Sequence, residues 1–249
     1  MNGAVDQLTH QAQKVGCNRM FRLIALVLIF PWLLGGLTGC GCLFGSKKYQ
    51  SAEELAEKGM ESFEDEDYHD ALKAFNTLKE RYPYSRYAIL AELKVADAHF
   101  HREEYPEAIS AYEDFVQLHP KNEAIPYVLY QIGACYFGQT LSKDRDQSST
   151  RLAILSFERL LQEYPDSAYA SEATKKIGSC RKLLAEHELY VARFYYKSKH
   201  YGAALTRFEG VLTSYIDVLP SETQRELDKL IIACKEKLSE KNAEEADSK

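Results

Sequence analysis

Glycine and proline are scarce, at 13 and 7 residues in a chain of 249, which argues against an all-β domain with its many tight turns. Missing too are a Gly-rich nucleotide loop, a Gly-x-Ser-x-Gly elbow and a His-Glu-x-x-His pair. Without a phosphate cradle, an acyl nucleophile or a metal-binding helix of these kinds, the chain is expected not to be an enzyme and to hold no metal. His99 and His101 stand two apart in a helical pattern and point to different faces, so they are expected to pack or be solvated rather than to share an ion. Positive charge is also short, with 31 Lys and Arg against 37 Asp and Glu, net −6. The first 39 residues are net positive through Lys14, Arg19 and Arg22, so the rest is more acidic still and unsuited to nucleic acid. What is present, 45% hydrophobic and 27% charged residues rich in Ala, Leu, Glu and Lys, reads as an all-α globular chain.

The longest apolar run, Leu23 to Leu37, spans about 15 residues, is broken by Pro31, Gly35 and Gly36, and follows Arg19 and Arg22. A spanning helix needs ~20 such residues, so the layout is that of a signal peptide, residues 1–39, and either Met1 or Met20 satisfies it as a start. Leu37-Thr38-Gly39-Cys40 resembles the bacterial lipobox, which implies lipid attachment at Cys40: a diacylglyceryl thioether with an N-acyl chain such as palmitate, and no other cofactor. Cys42 lacks the upstream apolar residue and is the minor candidate. Gly41, rather than Asp, follows Cys40; by the sorting rule of enteric lipoproteins this implies an outer-membrane anchor facing the periplasm. Several acyl chains hold firmly, at about 0.8 kcal/mol per buried CH₂. Residues 40–50 would be the lipidated linker.

The body repeats itself. Asp67-Tyr68-His69-Asp70-Ala71-Leu72, Glu104-Tyr105-Pro106-Glu107-Ala108-Ile109 and His200-Tyr201-Gly202-Ala203-Ala204-Leu205 superpose without gaps, with a fourth copy at Ala153-Ile154. Three residues on stand Phe75, Tyr112, Phe157 and Phe208, and three further Leu78, Phe115, Leu160 and Val211, one apolar stripe at helical spacing. Tyr82-Pro83, His119-Pro120 and Tyr164-Pro165 end three stripes; at Tyr215-Ile216 the proline is lost. Ser85 and Ser167 are expected to cap the helices that follow, as Ser221 is for the last one. Twelve residues before the key alanine stand Gly59, Ala96 and Ala192; in the third copy Gly133 stands twenty before Ala153, implying an insertion around 138–150.

This pattern resembles the tetratricopeptide repeat, a helix-turn-helix unit with paired small residues, an aromatic and a terminal proline. It implies hairpins stacked as a short right-handed superhelix, four repeats plus a C-terminal capping helix, with a groove lined by the first helix of each pair and suited to gripping a peptide. A polar tail over 241–249 is expected to be disordered. The acidic run Glu64-Asp65-Glu66-Asp67 falls at a turn, where charge is usually only solvated.

Lipobox and repeats together, with the string Leu184-Ala185-Glu186-His187-Glu188-Leu189-Tyr190-Val191-Ala192-Arg193-Phe194-Tyr195-Tyr196, then Ala204-Leu205-Thr206-Arg207-Phe208-Glu209, resemble the BamD family of the outer-membrane β-barrel assembly machinery. Arg81-Tyr82-Pro83-Tyr84-Ser85 and the loop Asp144-Arg145-Asp146-Gln147 add to the resemblance, which covers roughly 37–237. Resemblance implies a subunit of that complex, with residues 51–120 (repeats 1–2) as the client-binding half and 121–240 (repeats 3–4 and cap) as the complex-binding half. Its partners would be a POTRA-containing barrel subunit, contacted through Arg207, and unfolded outer-membrane proteins, for which Tyr84, Tyr87 and Phe100 are groove candidates. The family has five repeats, but after Leu219-Pro220 only one amphipathic segment remains here. A periplasmic repeat lipoprotein that tethers or activates cell-wall enzymes shares anchor and fold; the string over 184–209 favours the assembly role. Cys135, Cys180 and Cys234 lie on apolar helical faces and are expected as buried free thiols, an odd number unless Cys42 joins them.

Overall fold

The computed structural model describes residues 50–247. Among these residues the chain forms four consecutive helical hairpins and a single last helix: α1 (Ala52–Glu64) with α2 (Tyr68–Arg81), α3 (Ala88–His101) with α4 (Tyr105–Leu118), α5 (Ile125–Gly138) with α6 (Ser148–Glu163), α7 (Ala170–Lys197) with α8 (Tyr201–Tyr215), a 3-10 turn at Ile216–Val218, and α9 (Ser221–Asp247). Each helix packs against its neighbours in sequence, and α5 also touches α7, so the hairpins stack in register. Repeat number and the lone capping helix agree with the sequence. The expected signal peptide over 1–39, Cys40 and Cys42 lie outside the described residues.

The hairpins close on small residues. A Cβ built on Gly59 would stand 2.5 Å from the Phe75 ring and one on Gly133 2.6 Å from Phe157, so at both positions only hydrogen leaves room for the aromatic of the partner helix. Ala96 and Ala192 do the same duty in the other two hairpins, and they and their aromatics Tyr112 and Phe208 are fully buried. Truncating a buried aromatic to Ala costs about 3–5 kcal/mol, so these four rings dominate the packing.

Three hairpins turn in the same way. Glu66, Glu103 and Lys199 have φ of 61°, 59° and 61°, the left-handed conformation that favours glycine. The N–H of Glu103 bonds to Phe100 O and that of Glu104 to His99 O, a pairing repeated at 66–67 and 199–200; it is the Schellman closure of a helix C-terminus, built here without glycine. The acidic run therefore has structural duties beyond solvation: Glu66 takes the left-handed position, and Asp67 caps α2 by accepting from Asp70 N–H at 3.2 Å.

Proline endings behave as expected. Tyr82, His119 and Tyr164 each donate N–H to the carbonyl four residues back at 2.8–2.9 Å, after which Pro83, Pro120 and Pro165 cannot continue the ladder. With no proline after Tyr215, α8 runs on into the 3-10 turn. Ser85 and Ser167, in contrast, are not helix caps. The chain turns once more before α3 and α7, whose N-caps are Tyr87 and Tyr169; Ser85 Oγ accepts from Tyr87 N–H at 3.1 Å, and Ser167 Oγ is buried. Ser221 likewise lies inside α9, not before it. Of the expected disordered tail over 241–249, the described part is helical: α9 continues to Asp247, because Lys, Glu and Ala are strong helix formers.

α7 is 28 residues long. Its first half, Ala173 and Cys180, belongs to the core of the second and third hairpins; its second half, Ala185, Leu189 and Ala192, belongs to a core shared with α8 and α9. One rigid element of about 42 Å thus joins two hydrophobic clusters.

Two substitutions test this packing by chemical denaturation. Gly133→Val drives methyls into Phe157 and is expected to cost about 2 kcal/mol, while Lys199→Gly relieves the left-handed residue and is expected to gain about 0.5–1 kcal/mol.

Candidate protein-interaction surface

Polar groups inside the stack are few, and they concentrate between the second and third hairpins. Asp97, 2% exposed on α3, accepts from Tyr112 Oη at 2.8 Å, from Tyr127 Oη at 2.9 Å and from Lys94 Nζ at 2.9 Å. Gln131 on α5 donates to Tyr127 Oη at 3.1 Å, and Lys94 also lies over the Phe63 ring of α1, 4.4 Å from its centroid. A buried carboxylate is tolerated only when so fully bonded. Burial and the neighbouring Asp97 charge hold Tyr112 and Tyr127 well above the ordinary phenol range, so both stay protonated donors. The network fixes α3, α4 and α5 to one another.

The candidate groove residues are spread from the loop before α3 to its far end. Tyr84 is fully exposed in the loop before α3. Tyr87, at the start of α3, is half-buried and donates Oη to Glu53 on α1 at 2.8 Å, with Arg86 bonded to the same pair. Phe100 lies thirteen residues further along the helix, about 20 Å away by helical rise, packed edge-on to Tyr105 at 6.0 Å and against the core. Exposed beside Tyr84 in sequence are Ile89 and Leu90 on the first turn of α3. His99 binds Glu104 at 2.7 Å and His101 stacks on Tyr68 with centroids 4.8 Å apart, packing roles in both cases. No group of three or more His, Cys, Asp or Glu among the described residues is placed to hold a metal ion, and no helix among them is long and apolar enough to cross a membrane.

Arg207 projects from α8 and pairs with Glu188 of α7 at 2.6 Å, with its guanidinium 5.6 Å from the Tyr195 ring centroid. It remains partly exposed. Glu209, two residues further along α8, binds Lys235 of α9 at 2.9 Å.

The loop between α5 and α6 is built rather than loose. Gln147, 3% exposed, donates Nε2 to the carbonyls of Ser142 and Arg145 at 3.0 and 3.1 Å and accepts from Thr150 at 3.0 Å. Lys143 O then meets His187 Nδ1 of α7 at 2.8 Å. On the other side, Arg181 grips Asp217 with two bonds of 2.5 and 2.8 Å and Ser214 O at 2.7 Å, and Arg193 grips Glu226 of α9 at 3.0 and 3.1 Å. Loop, 3-10 turn and α9 are thereby held against α7 from Arg181 onward, and a cleft of about 560 Å³ opens there. Lys182, Glu186, Leu189, Tyr190, Arg193, Phe194 and Lys197 line it from α7. Their spacing of three and four residues was legible as one helix face; that the insertion loop and the start of α9 would wall it was not.

Cys135, Cys180 and Cys234 are buried free thiols. Burial pushes Cys135 up to about 12 and Cys180 to about 11, and raises Cys234. A thiol whose folded value is raised stabilises the fold below its unfolded value near 9 and loses that contribution as pH climbs. Two outcomes are expected: none of the three is alkylated at pH 8 until the chain is unfolded, read by peptide mass spectrometry, and stability, followed by circular dichroism, declines between about pH 9 and 12. Tyr112→Phe, which removes a donor to buried Asp97, is expected to cost about 1.5–3 kcal/mol in denaturation.

Comparison with known proteins shows the family. The model of the YfiO family, described as outer membrane lipoprotein, matches residues 48–249. The outer membrane protein assembly factor BamD of Caulobacter vibrioides is 30% identical over 178 residues, 69% of this chain and 58% of that protein; that of Neisseria meningitidis serogroup A is 32% identical over 175 residues, 66% of each. This chain thus spans less than two thirds of the length of these two relatives. The Rickettsia prowazekii protein of the same name is 29% identical, covering 79% of this chain and 78% of its own. Among solved structures, the TPR2AB domain of yeast Sti1 in complex with pHSP90 superposes with a TM-score of 0.47 at 16% identity, over 75% of this chain and 70% of that one. The chain belongs to the YfiO family of outer membrane lipoproteins, of which these BamD proteins are the curated relatives.

Proposed function

We propose that this chain is a non-catalytic subunit of the machinery that assembles β-barrels into the outer membrane, held on the periplasmic face by lipid on Cys40. In this role it binds the POTRA region of the barrel subunit through its C-terminal half and unfolded outer-membrane proteins through its N-terminal half. The observation that carries the reading is the family match over residues 48–249, supported by relatives whose name is that of an assembly factor. A stack of hairpins suits the work, because it offers a long, preformed surface with little to reorder on binding.

Arg207 is the proposed contact with the barrel subunit. It is partly exposed and its single carboxylate partner, Glu188, is partly exposed as well. A partner carboxylate could share the guanidinium, whose five donors exceed what Glu188 uses. Tyr84 is the proposed client contact in the N-terminal half, since it projects fully into solvent at the mouth of α3; Tyr87 and Phe100, tied into the fold, would shape the wall.

An affinity pull-down of the C-terminally tagged chain from gently solubilised envelopes tests the reading. Wild type is expected to recover a POTRA-containing barrel protein, and Arg207→Glu and Arg207→Ala to recover at least several-fold less. The Arg207–Glu188 pair is exposed enough to contribute only about 0–1 kcal/mol, so both variants are expected to fold. Recovery of cell-wall enzymes in place of the barrel protein would contradict it.

A further inference from the structure

On a chain of net charge −6, the cleft against α7 is an island of opposite sign. Lys143, Lys182, Arg193 and Lys197 face it with one carboxylate, Glu186. Arg193 is already occupied by Glu226, but Lys143, Lys182 and Lys197 have no salt-bridge partner among the described residues. Between the cations stand two large side chains left in water, Tyr190 at 46% and Phe194 at 63% exposed, one helical turn apart. Leu189, Leu219 and Pro220 make the floor. The first turn of α9, whose N–H groups have no partner within their own helix, opens on the rim at Pro220 and Thr223.

Uncompensated cations around exposed aromatic side chains are a binding arrangement. Lysines without a carboxylate partner along a cleft attract carboxylates from outside, while exposed Tyr and Phe supply the apolar area at small entropic cost. From this geometry we infer that the cleft docks a segment of a partner polypeptide that presents one large apolar side chain flanked by carboxylates, the apolar group seating between Tyr190 and Phe194 and the acids meeting Lys143, Lys182 and Lys197. A peptide fits better than a lipid surface: the site is a cleft lined by Lys143 of the loop, by Leu219 and Pro220 after the 3-10 turn and by Thr223 of α9 as well as by α7, and Glu186 within it opposes a uniformly anionic plane. The walls are preset by the Arg181–Asp217 and Arg193–Glu226 pairs, so binding need not order them. The inference rests on the reading of this chain as a protein-binding scaffold, but not on the identity of its assembly partner.

The test uses the full chain in detergent micelles and a fluorescein-labelled ten-residue Gly-Ser peptide carrying three Asp around one Phe, with binding read by fluorescence anisotropy. Saturable binding is expected, weakened about tenfold by Lys182→Glu with Lys197→Glu, and at least several-fold by Phe194→Ser, by Phe→Ser in the peptide, or by 0.5 M NaCl. Each altered residue of the chain is exposed, and unchanged circular dichroism and melting certify the variants. Four outcomes would overturn the proposal: no saturation up to millimolar peptide, equal binding of a peptide with Lys for Asp, affinity indifferent to the chain's variants, or phosphatidylglycerol vesicles that capture the chain through these residues and are not displaced by the peptide. Self-association lost in the Lys182→Glu, Lys197→Glu chain, seen by sedimentation without peptide binding, would assign the cleft to a second copy and also overturn it. Because the peptide assay does not involve the barrel protein, its failure and a failed pull-down with Arg207→Glu are separate results.

Discussion

Everything in this stack depends on one close approach, repeated four times: a small residue on the first helix of a hairpin against an aromatic on the second. Where that residue is Gly59 or Gly133, a single added carbon would lie about 2.5 Å from the ring of Phe75 or Phe157. The contact sets how near the two helices come, and so where the next hairpin can seat. A helix pair of this size cannot bury its apolar stripe alone; each needs the neighbour. Binding surfaces on such a scaffold are therefore fixed by core residues far beneath them.

α7 converts this local rule into long-range order. It is twice as long as α3, 28 residues against 14, and its two halves belong to different cores. Its outer face from Arg181 onward then becomes the surface on which the 3-10 turn, the α5–α6 loop and the start of α9 are pinned, by Arg181, His187 and Arg193 in turn. A surface held in this way keeps its shape without a partner. The proposed contact residue Arg207 and the basic cleft both sit against this half of α7, which makes it the most worked part of the molecule. The N-terminal half presents less: Tyr84, Ile89 and Leu90 in water, and an internal polar network around Asp97 that serves the joint between hairpins.

Much of the architecture was legible because proline, small residues and aromatics recur at fixed intervals. The Ala71, Ala108, Ala153 and Ala204 frame located all four hairpins, and the shift from twelve to twenty residues at Gly133 placed the loop that the structure shows from Gln139 to Gln147. Caps were misread at Ser85 and Ser167, because a serine two residues after the proline serves an extra turn that precedes the helix; composition cannot count that turn. Helix over 241–247 was not legible, because a lone helix of Lys, Glu and Ala needs no apolar stripe to continue. Sites were legible only as single residues. Tyr87 and Phe100 look alike in sequence, yet they lie at opposite ends of α3, and the cleft is assembled from three segments that no motif links.

Depleting this chain from its cell and quantifying the folded outer-membrane β-barrel proteins measures the function most directly. A barrel-assembly role predicts that folded barrels fall together while other outer-membrane lipoproteins hold their level. Unchanged barrels alongside altered cell-wall cross-linking would contradict it.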